Sequence, residues 1–198
     1  MSRLKAALIV VDVQGDFCPG GALAVKDGDR VIPGLNKTIR AFDKFGLPIF
    51  FTRDWHPTNH MSFKGQGGIW PPHCVQGTKG ASFQRGLVVP PSVIVVSKGY
   101  DVSKEAYSGF QGTDLKQRLR KSQVDELVIG GLATDYCVKE TALEARRAGF
   151  MVDVLEDCIR AVDVHQKDGE RALEEMLKKG VNLTTSSAVI KRMASTQQ

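Results

Sequence analysis

Three residues able to do nucleophilic chemistry stand at the ends of apolar runs in this sequence. Cys137 follows the run Leu127-Val128-Ile129-Gly130-Gly131-Leu132, at the point where a strand pattern gives way to a helical one. A thiol in a first helical turn feels the positive end of the macrodipole, which favours thiolate; the same residue type also fills cores as a small hydrophobe. Asp12 closes the run Ala7 to Val11, and Lys98 closes Val93 to Val96 after one serine. Both would be partly buried, and buried charges need partners. An Asp–Lys pair can be purely structural. Beside a thiol it gains chemical use: the carboxylate can accept the thiol proton, and the ammonium can stabilise the thiolate and the charge that develops on a substrate.

A second group of residues has the composition of a metal site. Asp54 ends the run Ile49 to Thr52 after Arg53, His56 lies two residues further on, and His60 and His73 follow in the same irregular stretch. Asp-x-His on an extended segment puts both side chains on one face, and His56 and His60 converge if the chain makes a helical turn between them. Imidazole with carboxylate suits zinc, iron or manganese and leaves positions open for water or substrate. The spacing follows no zinc-finger pattern, and polar loop histidines are the plainer alternative, for His60 above all.

The elements that must position these residues alternate in type. Short β-branched runs recur at Ala7 to Val11, Ile49 to Thr52, Val93 to Val96, Leu127 to Ile129, Met151 to Leu155 and Ala188 to Ile190. Helix-period stretches lie between them, clearest at Val31 to Phe45, Tyr136 to Ala148 and His165 to Lys179. Alternation of this kind predicts an α/β fold: a doubly wound, mainly parallel sheet of about six strands with helices on both faces. Ligands bind beyond the carboxyl ends of such strands, so Asp12, Asp54, Lys98 and Cys137 are expected along one edge. One domain spanning 1–198 is expected, with a Gly/Pro-rich loop at 54–91 too long and too aperiodic to be slack. Residues Ala194 to Gln198 read as a frayed tail.

Composition narrows the function classes. The chain has 198 residues, 42% hydrophobic and 25% charged, as ordinary globular domains do. Its net charge of +5 comes from scattered Lys and Arg with short clusters such as Lys116 to Lys121, which suits a solvated helix face better than a nucleic-acid surface. The first apolar run is too short, and too soon acidic at Asp12, for a signal peptide or a membrane span. Four cysteines without CxxC spacing point to a reducing, cytoplasmic setting. The expected partner is a small molecule, not nucleic acid or membrane, and a homo-oligomer is left open.

Several stretches then resemble a known family, the nicotinamidases within the isochorismatase-like cysteine hydrolases. They are Val11-Asp12-Val13-Gln14-Gly15-Asp16-Phe17, Thr52-Arg53-Asp54-Trp55-His56-Pro57, Trp70-Pro71-Pro72-His73-Cys74-Val75, Lys98-Gly99 with Ala106-Tyr107-Ser108-Gly109-Phe110, and Gly131-Leu132-Ala133-Thr134-Asp135-Tyr136-Cys137-Val138. They occur in the family's order and span nearly the whole chain.

The resemblance implies hydrolysis of nicotinamide to nicotinate and ammonia in NAD salvage, with pyrazinamide as a further substrate. It implies Cys137 as nucleophile, Asp12 as general base and then proton donor, and Lys98 as electrostatic partner. One divalent metal ion is implied, zinc foremost with iron or manganese as alternatives, held by Asp54, His56 and His73 with His60 as an additional ligand, and orienting the pyridine ring. Phe17 and Trp70 are implied as walls of the ring pocket. A cis peptide before Ala133 would aim the N–H groups of Ala133 and Cys137 at the carbonyl oxygen as an oxyanion hole. Tyr136 stands at the rim, where some relatives carry histidine. A related cysteine amidase acting on an N-carbamoyl or ureido substrate is the alternative, and it would not be expected to need the Asp54/His56/His73 cluster. A metal-binding or interaction protein on an enzyme scaffold is the remaining class.

Overall fold

A computed structural model describes residues 5–195. Six strands form one sheet: β1 (Ala6–Val11), β2 (Ile49–Asp54), β3 (Ile94–Lys98), β4 (Glu126–Leu132), β5 (Met151–Arg160) and β6 (Asn182–Thr184). Their spatial order is β3-β2-β1-β4-β5-β6, and every neighbouring pair is parallel. The strand order therefore reverses between β1 and β4, which opens a crevice at their carboxyl ends.

Burial explains why the pattern folds this way. β1 is buried along its whole length and shares its residues between two cores. Leu8 and Val10 join the first core, where α1 (Ile32–Lys44) contributes Leu35, Ile39 and Phe42, and α5 (Ser186–Ser195) contributes Val189 and Met193. Ile9 and Val11 join the second, where α2 (Leu115–Lys121) brings Leu115 and Leu119, α3 (Lys139–Arg147) brings Ala142 and Leu143, and α4 (Asp168–Lys178) brings Met176. Period-2 strands feeding two apolar layers require helices on both sides, and that is the arrangement present.

Two expectations need correction near the C-terminus. The apolar trio Ala188-Val189-Ile190 is not a strand; it lies in α5, and the sixth strand is Asn182–Thr184. Val189 and Met193, four residues apart, are both buried, so the trio is part of a helical stripe too short to reveal its period in sequence. β5 runs on to Arg160 past the polar pair Glu156-Asp157. The Asp157 carboxylate accepts the Ser186 N–H at 2.8 Å and fastens the start of α5. Of the presumed tail, Ala194 and Ser195 close α5, and 196–198 lie outside the described residues.

The long loop after β2 is tied down along its length. Isolated bridges join Gln14 to Phe83, His56 to Val75 and Phe63 to Trp70. At the crevice, Gly131 has φ +132°, and a Cβ there would fall 2.1 Å from the Val11 carbonyl oxygen. The close approach of β4 to β1 thus depends on the missing side chain. Gly131→Ala is expected to lower stability by at least about 1–3 kcal/mol, the ordinary cost of a strained backbone position, with the overlap added. Chemical denaturation measures it, and an unchanged midpoint would show that β1 and β4 can separate without loss.

Candidate active site

Strand order places four functional side chains next to one another. Lys98 ends β3, Asp54 ends β2 directly opposite it in register, Asp12 follows β1, and Cys137 lies in the turn after β4. Lys98 is completely buried. Its Nζ lies 2.9 Å from Asp12 Oδ2, contacts Asp54 Oδ1, donates to the Ala106 carbonyl at 3.1 Å and reaches Cys137 Sγ at 3.4 Å. Burial alone would lower the ammonium's pKa, but the Asp12 and Asp54 carboxylates outweigh it and hold the group well above its ordinary value. It is therefore a permanent cation.

Asp12 is buried as well, with φ +47°, in the left-handed region that few non-glycine residues adopt. Its N–H donates to the Thr52 carbonyl at 3.2 Å, and the Thr52 hydroxyl donates to its Oδ1 at 2.7 Å. Burial raises the Asp12 pKa, Lys98 offsets part of that, and Asp54 adds to it. A carboxyl raised in this way is better able to hold a proton taken from a neighbour.

Cys137 stands in a wide π-type turn, Thr134–Val138, that runs into α3. Burial pushes its thiol well above the usual value, Lys98 pulls it back in part, and Asp12 and Asp54 push it up further. Burial thus favours the thiol over the thiolate expected from a helix terminus alone. Asp135, two residues before the sulfur, has a structural task. Its carboxylate accepts the N–H groups of Val162 at 2.9 Å and Asp163 at 2.8 Å, which fastens the segment after β5 to the turn. The Leu132–Ala133 peptide is cis, which matches what the family resemblance implies.

On the other side of the crevice, one donor atom from each of Asp54, His56 and His73 lies within 4.8 Å of the others. His73 Nδ1 contacts the Pro71 carbonyl at 2.8 Å and His56 Nδ1 the His73 carbonyl at 3.2 Å. Carbonyls only accept, so Nδ1 carries the proton in each ring and Nε2 keeps its lone pair, the usual arrangement for metal-binding histidines. His56 Nε2 is buried and has no hydrogen-bond partner among the described residues. Burial, with the neighbouring His73, His60 and Lys98, lowers the His56 pKa to about 3, so its neutral, ligating form prevails. The residues fit a divalent ion.

His60 is placed differently. Its Nε2 contacts the Lys104 carbonyl at 3.0 Å, and its Nδ1 meets the Ser62 hydroxyl at 2.7 Å and the Ser62 N–H at 3.3 Å. Both ring nitrogens are engaged with protein. The ring nevertheless lies against His56, tilted by 43° with centroids 4.4 Å apart.

The crevice between thiol and histidines is a pocket bounded by Phe17, Trp70, Ala133 and Tyr136, the residues expected to frame it, together with Leu23, Glu105, Tyr107 and Val162. Trp70 Nε1 donates to the Tyr107 hydroxyl at 3.0 Å, and Tyr136 meets Trp70 edge-on at 5.2 Å and Tyr107 at 5.5 Å. These contacts make one aromatic wall.

Four supporting residues escaped the sequence reading. Thr52 holds Asp12. Gln14 receives the Asp54 N–H at 2.8 Å on Oε1 and donates from Nε2 to the Asp54 carbonyl at 2.8 Å and the Ala81 carbonyl at 2.9 Å, which pins the end of β2 and the long loop together. Phe63 lies 5.5–5.8 Å from the rings of His56, His60 and His73. Tyr107 completes the wall. Gln14, Thr52 and Tyr107 stand inside the matching motifs, which was a usable signal; Phe63 looks like a core residue until its neighbours are known.

An α/β sheet with a thiol, a carboxylate and an ammonium at its switch point, facing a metal-type donor set, has the layout of a thiol-dependent hydrolase. Comparison with known proteins agrees. The Isochorismatase domain model matches residues 6–188, and the chain belongs to that family. The nicotinamidase of Escherichia coli K12 is 38% identical over 200 residues, covering 90% of this chain and 94% of that protein. The crystal structure of the Pyrococcus horikoshii pyrazinamidase in complex with zinc superposes with a TM-score of 0.88 at 49% identity, covering 91% of this chain and 99% of that one. That of an L. infantum protein in complex with nicotinate gives 0.84 at 36% identity, covering 93% and 94%. The enzyme is an amidohydrolase acting on a carboxamide. No helix among the described residues is long and apolar enough to cross a membrane.

Two outcomes follow from this geometry. Lys98→Met leaves Asp12 and Asp54 buried without their cation, and should cost about 3–5 kcal/mol in chemical denaturation of the metal-free protein; a variant as stable as the parent would show the pair is dispensable to the fold. Gly99 has φ +65°, and a Cβ there would lie 2.7 Å from His56 Nε2. Gly99→Ala should weaken zinc binding by about tenfold or more in a chelator competition, and undiminished affinity would mean His56 is not a ligand.

Proposed function

We propose that this protein hydrolyses nicotinamide to nicotinate and ammonia, with Cys137 as the nucleophile. The observation that carries the reading is the buried Lys98 ammonium, which joins the Asp12 carboxylate, the Cys137 thiol and the Asp54 end of the metal cluster in one constellation. The relatives named as nicotinamidase and pyrazinamidase, and the zinc and nicotinate found in two of the solved structures, support the substrate and the metal.

Asp54, His56 and His73 would hold the metal ion. When bound, it supplies a Lewis-acid anchor for the ring nitrogen of the substrate. The aromatic wall of Trp70, Tyr107 and Tyr136, with Phe17 opposite, holds the flat ring and excludes water. Asp12 takes the Cys137 proton as Sγ attacks the carboxamide carbon. The Ala133 and Cys137 N–H groups receive the developing oxyanion, a contribution typically worth about 3 kcal/mol per donor. As the C–N bond breaks, Asp12 returns the proton to nitrogen and ammonia leaves, which creates a Cys137 thioester. Asp12 then removes a proton from a water that attacks the thioester carbon; the C–S bond breaks, Sγ is reprotonated and nicotinate is released. Lys98 keeps its charge throughout and offsets the negative charge that moves between Asp12 and the sulfur.

The same residues support pyrazinamide as a second substrate, since it presents a ring nitrogen and a carboxamide in the same relation, and they suit a role in NAD salvage. Cys137→Ala should reduce ammonia release from nicotinamide by about four orders of magnitude or more, while zinc measured in the purified protein stays at the parent level. Turnover retained by that variant would sink the mechanism.

A further inference from the structure

Glu105 lies in the loop after β3, half-buried and on the wall of the pocket that holds Asp54, His56 and His73. One of its carboxylate oxygens, one ring nitrogen of His56 and one of His60 all lie within 4.8 Å of each other. Its carboxylate accepts a hydrogen bond from the Ala106 N–H at 3.0 Å, and no other hydrogen bond or cation is paired with it among the described residues. A carboxylate oxygen without a cation on that wall is available to a positively charged ligand.

We infer that Glu105 is an additional oxygen donor of the metal site, and that His60 serves the site by holding Glu105 in place. His60 Nε2 donates to the carbonyl of Lys104, the residue before Glu105, across 44 positions of sequence. Its ring packs against both His56 and Phe63, which also touch each other. His60 therefore buttresses the loop that presents the carboxylate, with both of its own nitrogens in use. Charge points the same way. Asp54 shares its charge with Lys98, so the Asp54/His56/His73 set by itself offers a divalent cation little net negative charge. Adding Glu105 gives the pocket three carboxylates, with Asp12 and Asp54, against the single ammonium of Lys98, an excess that matches a divalent ion. A second carboxylate oxygen also makes the donor set harder, which favours manganese relative to zinc more than Asp54, His56 and His73 alone would.

This inference rests on the metal-dependent reading of the site, and the test separates the two. Metal-free protein is prepared with a chelator, and dissociation constants for Zn²⁺ and Mn²⁺ are measured by competition with a chromogenic chelator for the parent, Glu105→Gln and Glu105→Asp. Visible spectra of the Co²⁺-loaded forms report the donor set directly. Glu105→Gln should bind both ions about 10–100-fold more weakly, with the larger loss for Mn²⁺ and an altered Co²⁺ spectrum. The metal-free unfolding midpoint should not move, and Glu105→Asp should recover part of the affinity. Equal affinities and identical Co²⁺ spectra in parent and Glu105→Gln would overturn the role of Glu105 and leave the nicotinamidase reading intact. A parent protein that binds none of the ions would overturn both.

Discussion

A buried ammonium organises this molecule. Lys98 has no exposure to water, and its solvation is replaced by Asp12, Asp54, the Ala106 carbonyl and the sulfur of Cys137. Removing a charge from water costs several kcal/mol unless each lost contact is replaced, so the ends of three adjacent strands and the loop carrying Ala106 must meet at one point. That constraint couples fold to chemistry. The group that keeps two carboxylates tolerable inside the protein also contacts the sulfur, and in the proposed reaction it steadies the thiolate.

Around this centre the protein divides its tasks between rigid and irregular parts. The ends of β1, β2, β3 and β4 deliver Asp12, Asp54, Lys98 and Cys137, with β1, β2 and β4 paired on both sides and β3 on one. The histidines of the metal-type set and Trp70 come from the long loop instead, whose chain must be pinned from outside. Gln14 does much of this by bonding both backbone groups of Asp54 and the Ala81 carbonyl, and Asp16 adds to it by accepting the Cys74 N–H at 2.7 Å. Phe63 fills the space among the three imidazoles. Loop and sheet edge then act as one preorganised surface, which is what electrostatic catalysis requires.

Activation of the thiol follows from the same economy of charge. Burial and two nearby carboxylates favour the protonated form of Cys137 against the pull of Lys98, and in the proposed reaction Asp12, itself raised by burial, exchanges that proton.

Much of this was legible in the sequence, and for a definite reason. In a parallel sheet the residue after each apolar run points to the ligand edge, so Asp12, Asp54, Lys98 and Cys137 announced themselves by position and type, and alternation of strand and helix patterns predicted the doubly wound layers. Local pattern failed where it was short or interrupted: Ala188 to Ile190 read as a strand because three residues show no period, and Glu156-Asp157 hid the second half of β5. Pairing was decided only by tertiary structure. Lys98 meets Asp54 across 44 positions and Cys137 across 39, because the sheet order β3-β2-β1-β4 sets those strand ends side by side. Whether His60 faces a metal or the Lys104 carbonyl, whether Thr52 supports Asp12, and whether the thiol rests protonated all depend on burial and on neighbours distant in the chain, which no local spacing encodes.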